Sequence, residues 1–196
     1  MSRARSISPE NFPTSAQLEA ELKSERYKRN YHSALRGTVF TLITVAAVAV
    51  LIAVLLLPVL QIYGTSMNPT LGEGDIVISV KGNSFSTGDV VAFYYNNKIL
   101  VKRVIAHAGD WVQIDDDGNV FVNNKQIDEP YLLDKAKGEC NITLPYQVPE
   151  GRIFVMGDHR SVSIDSRNTA VGCVAEEQIV GKIVFCIWPL KNFGKL

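Results

Sequence analysis

Ser66 is the first side chain along the sequence whose setting suggests covalent chemistry. It stands in the segment 64–71, GTSMNPTL, between Gly64 and Pro69. Glycine lets the backbone approach a ligand closely, and proline stiffens the turn that follows the serine. A serine hydroxyl becomes a strong nucleophile when a neighbouring base takes its proton. Serines in turns are common, so this segment alone indicates only a candidate.

Lys102 is a candidate for that base, because it lies inside the apolar run 99–105, ILVKRVI. On an alternating strand, Leu100, Lys102 and Val104 share one face. If that face is the core, burial lowers the pKa of the amine and leaves a neutral base, while Arg103 points to water. Alternation alone equally allows the reverse, in which Arg103 faces inward and Lys102 faces solvent.

A third cluster, dense in hydroxyl and charged groups, fills the segment 156–167, MGDHRSVSIDSR. Its charged residues can pair among themselves and order a loop that aims a hydroxyl at a catalytic neighbour. These residues are Asp158, Arg160, Asp165 and Arg167. The composition of the segment fits a solvated surface loop as well.

Composition and charge exclude several classes of function. The 196 residues carry 20 Lys/Arg and 20 Asp/Glu, so the formal net charge is zero, and no basic stripe typical of a nucleic-acid binder is present. Cys140, Cys173 and Cys186 form no CxxC pair and have no histidines at metal-ligand spacing. We therefore expect no metal, no cofactor and no nucleic-acid partner. We interpret the cysteines as buried thiols, with a disulfide as the alternative if the domain lies outside the cell.

The stretch 38–60, TVFTLITVAAVAVLIAVLLLPVL, contains 23 residues and no charge. As a helix it would be roughly 34 Å long, which is enough to cross the hydrocarbon core of a bilayer. It is too long, and lies too far along the chain, for a cleaved signal peptide. It is also apolar all round, unlike a helix packed on a soluble core. We predict a transmembrane helix over 38–60.

The charges that flank this stretch indicate its orientation. Residues 1–37 hold seven Lys/Arg against four Asp/Glu, whereas residues 61–196 hold 13 against 16. This asymmetry predicts a cytoplasmic N-terminal tail, 1–37, and an extracytoplasmic domain, 61–196, on a cell membrane that the chain crosses once. Within the tail, residues 16–36 could form a short polar helix.

The rest of the sequence is typical of short strands separated by turns. Turn signals at Asn96-Asn97, Asp117-Gly118 and Asn123-Asn124 tolerate the positive φ that tight hairpins require. The runs rich in β-branched or aromatic residues are 75–80, 89–95, 99–105, 111–114, 120–122, 152–156 and 183–187. The predicted fold class is a mostly-β domain preceded by one transmembrane α-helix, with an irregular loop over 131–150.

Together these segments resemble the bacterial type I signal peptidases, serine–lysine enzymes that remove signal peptides from exported proteins. Segment 64–71 resembles the family's nucleophile box, and segment 102–110, KRVIAHAGD, resembles its lysine box. Segment 157–167, GDHRSVSIDSR, resembles its last box, and 123–132, NNKQIDEPYL, resembles a hairpin segment usual in these enzymes. The segments follow one membrane helix in the family's order, and the short catalytic domain is similar to the Gram-positive form.

The resemblance implies a fold and a set of roles. The fold would be one of coiled antiparallel β-sheets. Ser66 would be the nucleophile and Lys102 the general base. The supporting residues of the last box would be Ser163, which orients the lysine amine, Asp158, and the ion pair of Asp165 with Arg167.

The implied substrates are secretory pre-proteins, cut after small residues that stand one and three positions before the scissile bond. Apolar side chains that flank the two catalytic positions could wall the substrate pockets: Leu60, Ile62, Met67, Leu71, Leu100 and Val101. Several positions depart from the family's pattern: His107 sits where an apolar residue is usual, and Cys173 stands near a position where the family often has an aromatic-Gly-aromatic run. His159 replaces a usual asparagine, and Gly64 stands where some relatives carry a serine that donates to the oxyanion. The backbone N–H of Ser66 would then be the donor.

Two other hypotheses remain open on the sequence. A Ser-His-Asp hydrolase would use His107 or His159 as its base and would tolerate changes at Lys102. A non-catalytic, membrane-anchored β-domain would leave the side chains of Ser66 and Lys102 far apart.

Overall fold

A long helix and an antiparallel β-structure make up the computed structural model, which describes residues 13–82 and 84–196. The helix, α1, runs from Ser15 to Leu56, and within the described ranges it is the one helix long and apolar enough to cross a membrane, judged by length and composition. The threonine hydroxyls in its apolar part donate to carbonyls four residues earlier, as Thr41 does to Gly37 at 2.9 Å. The first 12 residues of the predicted tail lie outside the described residues.

The bounds of α1 differ from the prediction at both ends of the apolar stretch. The polar residues before it do not form a separate helix, because α1 continues through Gly37 without interruption. The predicted helix end at Leu60 is wrong, since α1 ends at Leu56 and Val59–Gln61 is a strand. Pro58 explains this end, because proline disfavours helical geometry at the residue before it and has no N–H to donate.

Beyond Pro58 the fold is almost entirely β, which confirms the predicted class. All the runs predicted as strands are present, and the strands missed by the prediction have only two or three residues. The strands are β1 Val59–Gln61, β2 Ile76–Val80, β3 Val90–Tyr95, β4 Lys98–Ala106, β5 Trp111–Ile114, β6 Val120–Val122, β7 Lys125–Gln126, β8 Tyr146–Gln147, β9 Arg152–Met156, β10 Val174–Ala175, β11 Ile179–Trp188 and β12 Gly194–Lys195.

The strands form two sheets in which every pairing is antiparallel. The larger has eight strands in the order β1-β2-β11-β3-β4-β9-β10, with β12 beside β11, and the smaller has the order β7-β6-β5-β8. Asn96 turns the β3–β4 hairpin with a φ of 43°, and Asn123 and Asn124 turn the β6–β7 hairpin with φ of 52° and 65°. These are the positions at which asparagine was expected to supply the left-handed backbone of a tight turn.

The apolar side chains bury in clusters on the faces of the larger sheet and beneath the smaller one. One cluster includes Ile62, Met67 and Leu71, so it forms the floor below the turn that carries Ser66. Cys173 and Cys186 are buried free thiols, and Cys140 is half-buried and also free. Burial raises the pKa of the Cys173 thiol, which keeps it protonated and unreactive.

Gly181, the third residue of β11, tests the packing of the larger sheet. A Cβ at this position would lie 2.6 Å from the carbonyl oxygen of Val80, so one backbone must shift. We expect Gly181→Ala to lower the free energy of unfolding by about 1–3 kcal/mol. Urea unfolding followed by tryptophan fluorescence measures this, because Trp111 and Trp188 both lie in the β-structure.

Gly194→Ala is the matched control, since a Cβ there meets nothing within 4 Å. It should leave the unfolding free energy unchanged or slightly raised. Equal stability of the two variants would contradict the packing described for β11 against β2.

Candidate active site

Ser66 lies in the turn that connects β1 to β2. Met67 and Leu71 hold this turn on the core cluster, with exposed fractions of 2% and 0%, and the Leu71 N–H donates to the Met67 carbonyl at 2.9 Å. The backbone carbonyl of Ser66 accepts a hydrogen bond from the N–H of His159 at 3.0 Å. The serine is therefore held from below by the core and from the side by the loop that follows β9.

Lys102 lies in β4, and its side chain reaches the serine hydroxyl. The distance from Lys102 Nζ to Ser66 Oγ is 2.6 Å, and the lysine is 3% exposed. Burial lowers the pKa of Lys102 to about 8, from an ordinary value of 10.5. The charge of Asp165 opposes this shift, Arg167 adds to it and Asp158 opposes it. At neutral pH, therefore, a usable fraction of this amine is unprotonated.

Neither of the two alternatives describes β4 as a whole, because Lys102 and Arg103 are both buried. The strand is covered on both of its faces from Lys102 to Ala106, so alternation does not separate an inner from an outer side chain. The Arg103 guanidinium donates to both carboxylate oxygens of Asp158, at 2.8 and 2.6 Å, and to the carbonyl of Gly88 at 2.7 Å. The expectation that Arg103 points to water is wrong.

The segment 156–167 is mostly buried, and its charged residues are all buried, although Ser161, Val162 and Ile164 are exposed. Of the pairs expected within it, Asp165 and Arg167 form one, with two hydrogen bonds of 2.8 Å. Burial would raise the pKa of Asp165, but hydrogen bonds and charge from Arg167 outweigh burial and lower it. The other two charged residues pair outside the segment: Asp158 with Arg103, and Arg160 with Glu129.

Ser163 is 1% exposed, and its hydroxyl has no hydrogen-bond partner among the residues that the structure describes. A hydrogen bond to the Lys102 amine, through which the resemblance implies that Ser163 orients the base, is thus not formed. Ser163 instead packs against Gly157, where a Cβ would lie 2.3 Å from Ser163 Oγ and 2.5 Å from the Ser66 carbonyl oxygen. Sequence reasoning did not single out Gly157, although only a glycine fits between these two serines.

A cleft of about 760 Å³ opens beside Ser66 and Lys102. Its walls come from the residues around β1 and from the first half of β4: 60–64, 66, 67 and 97–102. Of the pocket residues predicted, Leu60, Ile62, Met67, Leu100 and Val101 line the cleft. Leu71 does not, because it lies one turn beyond Met67 and its side chain is fully buried in the core cluster.

The histidines do not form a triad with Ser66. The backbone N–H of His107 donates to Asp110 at 2.8 Å, and among the described residues neither His107 nor His159 bonds to Ser66 Oγ. The close contact of Lys102 with Ser66 also contradicts the arrangement expected of a non-catalytic β-domain. In the described part of the chain, no group of three His, Cys, Asp or Glu side chains could hold a metal.

A family profile and curated sequence relatives of this chain agree on one family. The profile described as signal peptidase, peptidase S26, matches residues 35–188. A signal peptidase I of Bacillus licheniformis is 33% identical over 185 residues, which cover 88% of this chain and 98% of the relative. A signal peptidase IB of Staphylococcus aureus is 41% identical over 153 residues, which cover 67% of this chain and 78% of the relative. A solved signal peptidase I of Enterococcus faecalis superposes with a TM-score of 0.44 at 28% identity, over 50% of this chain and 96% of that one.

The Arg103–Asp158 pair gives a test of the electrostatics of the site. Asp158→Asn would leave a buried guanidinium without its counter-charge, so we expect the free energy of unfolding to fall by about 3–5 kcal/mol. Asp116→Asn is the control, because Asp116 pairs with Lys137 at a side-chain exposure of 96% and exposed pairs contribute little. Urea unfolding measures both variants, and an Asp158→Asn variant as stable as the control would contradict the buried pair.

Proposed function

The chain belongs to the signal peptidase family, peptidase S26, and on that basis we propose that it is a serine endopeptidase that removes signal peptides from exported pre-proteins. The observation that carries the mechanism is the 2.6 Å contact between Lys102 Nζ and Ser66 Oγ, made by a buried amine beside an open cleft. Ser66 is the proposed nucleophile and Lys102 the proposed general base.

In the proposed reaction, the neutral amine of Lys102 takes the hydroxyl proton while Ser66 Oγ attacks the scissile carbonyl carbon. The resulting ammonium gives that proton to the leaving nitrogen as the tetrahedral intermediate collapses to an ester. Lys102, neutral again, takes a proton from water, which attacks the ester and forms the new carboxyl end. Ser66 recovers its proton from Lys102, so both residues end as they began.

The backbone N–H of Ser66 is the proposed donor to the oxyanion. It donates to no acceptor in the described part of the chain, so it is available to a substrate carbonyl. Gly64 has a φ of 84° and itself carries no side chain into this part of the cleft. A fixed backbone donor stabilises negative charge without reorganising during the reaction.

Two strand edges support binding of the substrate in an extended conformation. Of the strands described, none pairs with the second edge of β1, and β9 pairs with β4 only from Arg103 onward. The free edges of β1 and of residues 98–102 both line the cleft, so an extended peptide can hydrogen-bond to either. Alternate side chains of that peptide face the same wall, which places the residues one and three before the cut together against Ile62, Met67 and Val101. We expect small side chains at both positions.

The helix α1 fits a membrane anchor in length and composition. The basic residues that precede its apolar part support a cytoplasmic tail over 1–37 and a catalytic domain outside, on the side where signal peptides emerge. In this proposal the partners are the bilayer and the secretory pre-proteins, whose apolar segments occupy that bilayer.

Replacing the proposed base tests the mechanism. With an exported precursor as substrate, Lys102→Met should lower kcat by about 10²–10⁴-fold, because no other group takes the serine proton. Ser66→Ala should abolish cleavage, whereas the exposed Lys125→Met should cleave as the wild type does. Gel analysis of precursor and product, with urea unfolding of each variant, measures the effect. Retained cleavage by Lys102→Met together with loss in His107→Ala or His159→Ala would favour the histidine mechanism.

The pH dependence follows from the lowered pKa of Lys102. Only the neutral amine acts as a base, so kcat/KM should rise about tenfold per pH unit below the pKa and level off above it. The bend should come at about pH 8, where the Lys102 amine loses its proton. Initial rates with a peptide substrate between pH 6 and 10 would define the curve. A kcat/KM that still rises tenfold per pH unit at pH 10 would contradict a buried base.

A further inference from the structure

Glu129 does not line the cleft but makes a buried contact with Arg160 of the loop that follows β9. It belongs to the connecting segment, residues 127–145 between β7 and β8 of the smaller sheet. Both oxygens of its carboxylate pair with the Arg160 guanidinium. The exposed fraction of the side chain is 1% for Glu129 and 0% for Arg160. A buried ion pair with this geometry fixes the positions of both side chains.

Arg160 carries that constraint to the nucleophile. Its Nε donates to the carbonyl oxygen of Gly157 at 3.0 Å. Gly157 lies against the Ser66 carbonyl so closely that a Cβ would be 2.5 Å from that oxygen, and His159 donates to the same carbonyl. The Gly157 peptide, which lies against the Ser66 carbonyl, is therefore held by Arg160, which is held in turn by Glu129.

Tyr131 joins the same segment to the second arginine of the site. Its hydroxyl donates to Glu129 at 2.9 Å, and its ring lies 3.9 Å from the centre of the Arg103 guanidinium. The connecting segment thus contacts Arg160 and Arg103 together. Its fit to the loop is close at Gly138 as well, where a Cβ would lie 2.4 Å from the Arg160 carbonyl oxygen.

We propose that Glu129 is a positioning residue for peptide cleavage: by holding Arg160, it fixes the Gly157 peptide on which the Ser66 backbone rests. This inference depends on the proposed function of Ser66 and Lys102. Neither Glu129 nor Arg160 lines the cleft, so the effect falls on the geometry of attack and not on the binding of substrate.

The test is the Glu129→Gln variant of the full chain in detergent micelles, with an exported precursor peptide as substrate. We expect kcat to fall by about tenfold or more with KM within about twofold of the wild type, because a small displacement of a nucleophile lowers the rate steeply. Asp116→Asn, which removes an exposed acid, is the matched control and should keep wild-type values.

The pH profile separates positioning from simple loss of stability. Near Lys102 the other buried charges pair with each other, Asp158 with Arg103 and Asp165 with Arg167. Glutamine at position 129 leaves the positive charge of Arg160 unbalanced, which should lower the pKa of the Lys102 amine. The acid limb of the kcat/KM profile, in which the rate rises with pH, should therefore move to lower pH. The double variant Glu129→Gln/Arg160→Met restores the charge balance but leaves the Gly157 carbonyl without its donor. It should return the limb to the wild-type pH while kcat stays low.

A fall in kcat that only matches the loss of folded protein by circular dichroism, with an unmoved acid limb, would overturn the proposal, as would wild-type kcat. If Glu129→Gln does not fold, Tyr131→Phe removes only the hydroxyl bond to Glu129. It should lower kcat about two- to tenfold at unchanged KM, and wild-type kcat there would overturn the proposal. Failure of the proposed function is distinct, since in that case Lys102→Met would cleave as the wild type does.

Discussion

A lysine amine held out of water against a serine hydroxyl is the interaction on which the rest of this structure depends. An ammonium group in solution is a poor base, and burial makes the charged form less favourable. The site must bury Lys102 without burying an uncompensated charge. It does so with two buried ion pairs near the amine, Arg103–Asp158 and Arg167–Asp165. Burial is the largest influence on the pKa of Lys102, and the neighbouring charges partly cancel.

This balance explains why the loop after β9 is so heavily charged and yet buried. Each arginine near the site has a carboxylate partner, and each partner comes from a segment that must be placed accurately. Arg103 comes from β4, Asp158 and the Asp165–Arg167 pair come from the loop, and Glu129 comes from the connecting segment between β7 and β8. Buried pairs of this kind contribute little net stability but are costly to break. Here they connect the segments of the chain around Ser66 and Lys102 and so fix where those segments lie.

Much of the fold, and the pairing of Ser66 with Lys102, could be predicted from the sequence, because both rest on local patterns. The strands of four or more residues showed their β-branched runs, and the serine and lysine segments resembled a family. Partners distant in sequence could not be predicted: Arg103 and Asp158 are 55 positions apart, and no local pattern links them. Alternation failed at Lys102 because β4 is covered on both faces. The helix was predicted to end at Leu60 and not at Leu56, because apolar residues continue past Pro58 into a strand.

The protonation state of Lys102 in the intact chain is the measurement that tests the central claim most directly. Lysine labelled with ¹⁵N, with the Lys102 signal assigned by its absence from Lys102→Met, would be followed by NMR as pH rises. The buried amine should lose its proton at about pH 8, and unfolding in urea should return its pKa towards the ordinary value of 10.5. A Lys102 signal that stays protonated up to that ordinary value in the folded chain would contradict a neutral lysine base.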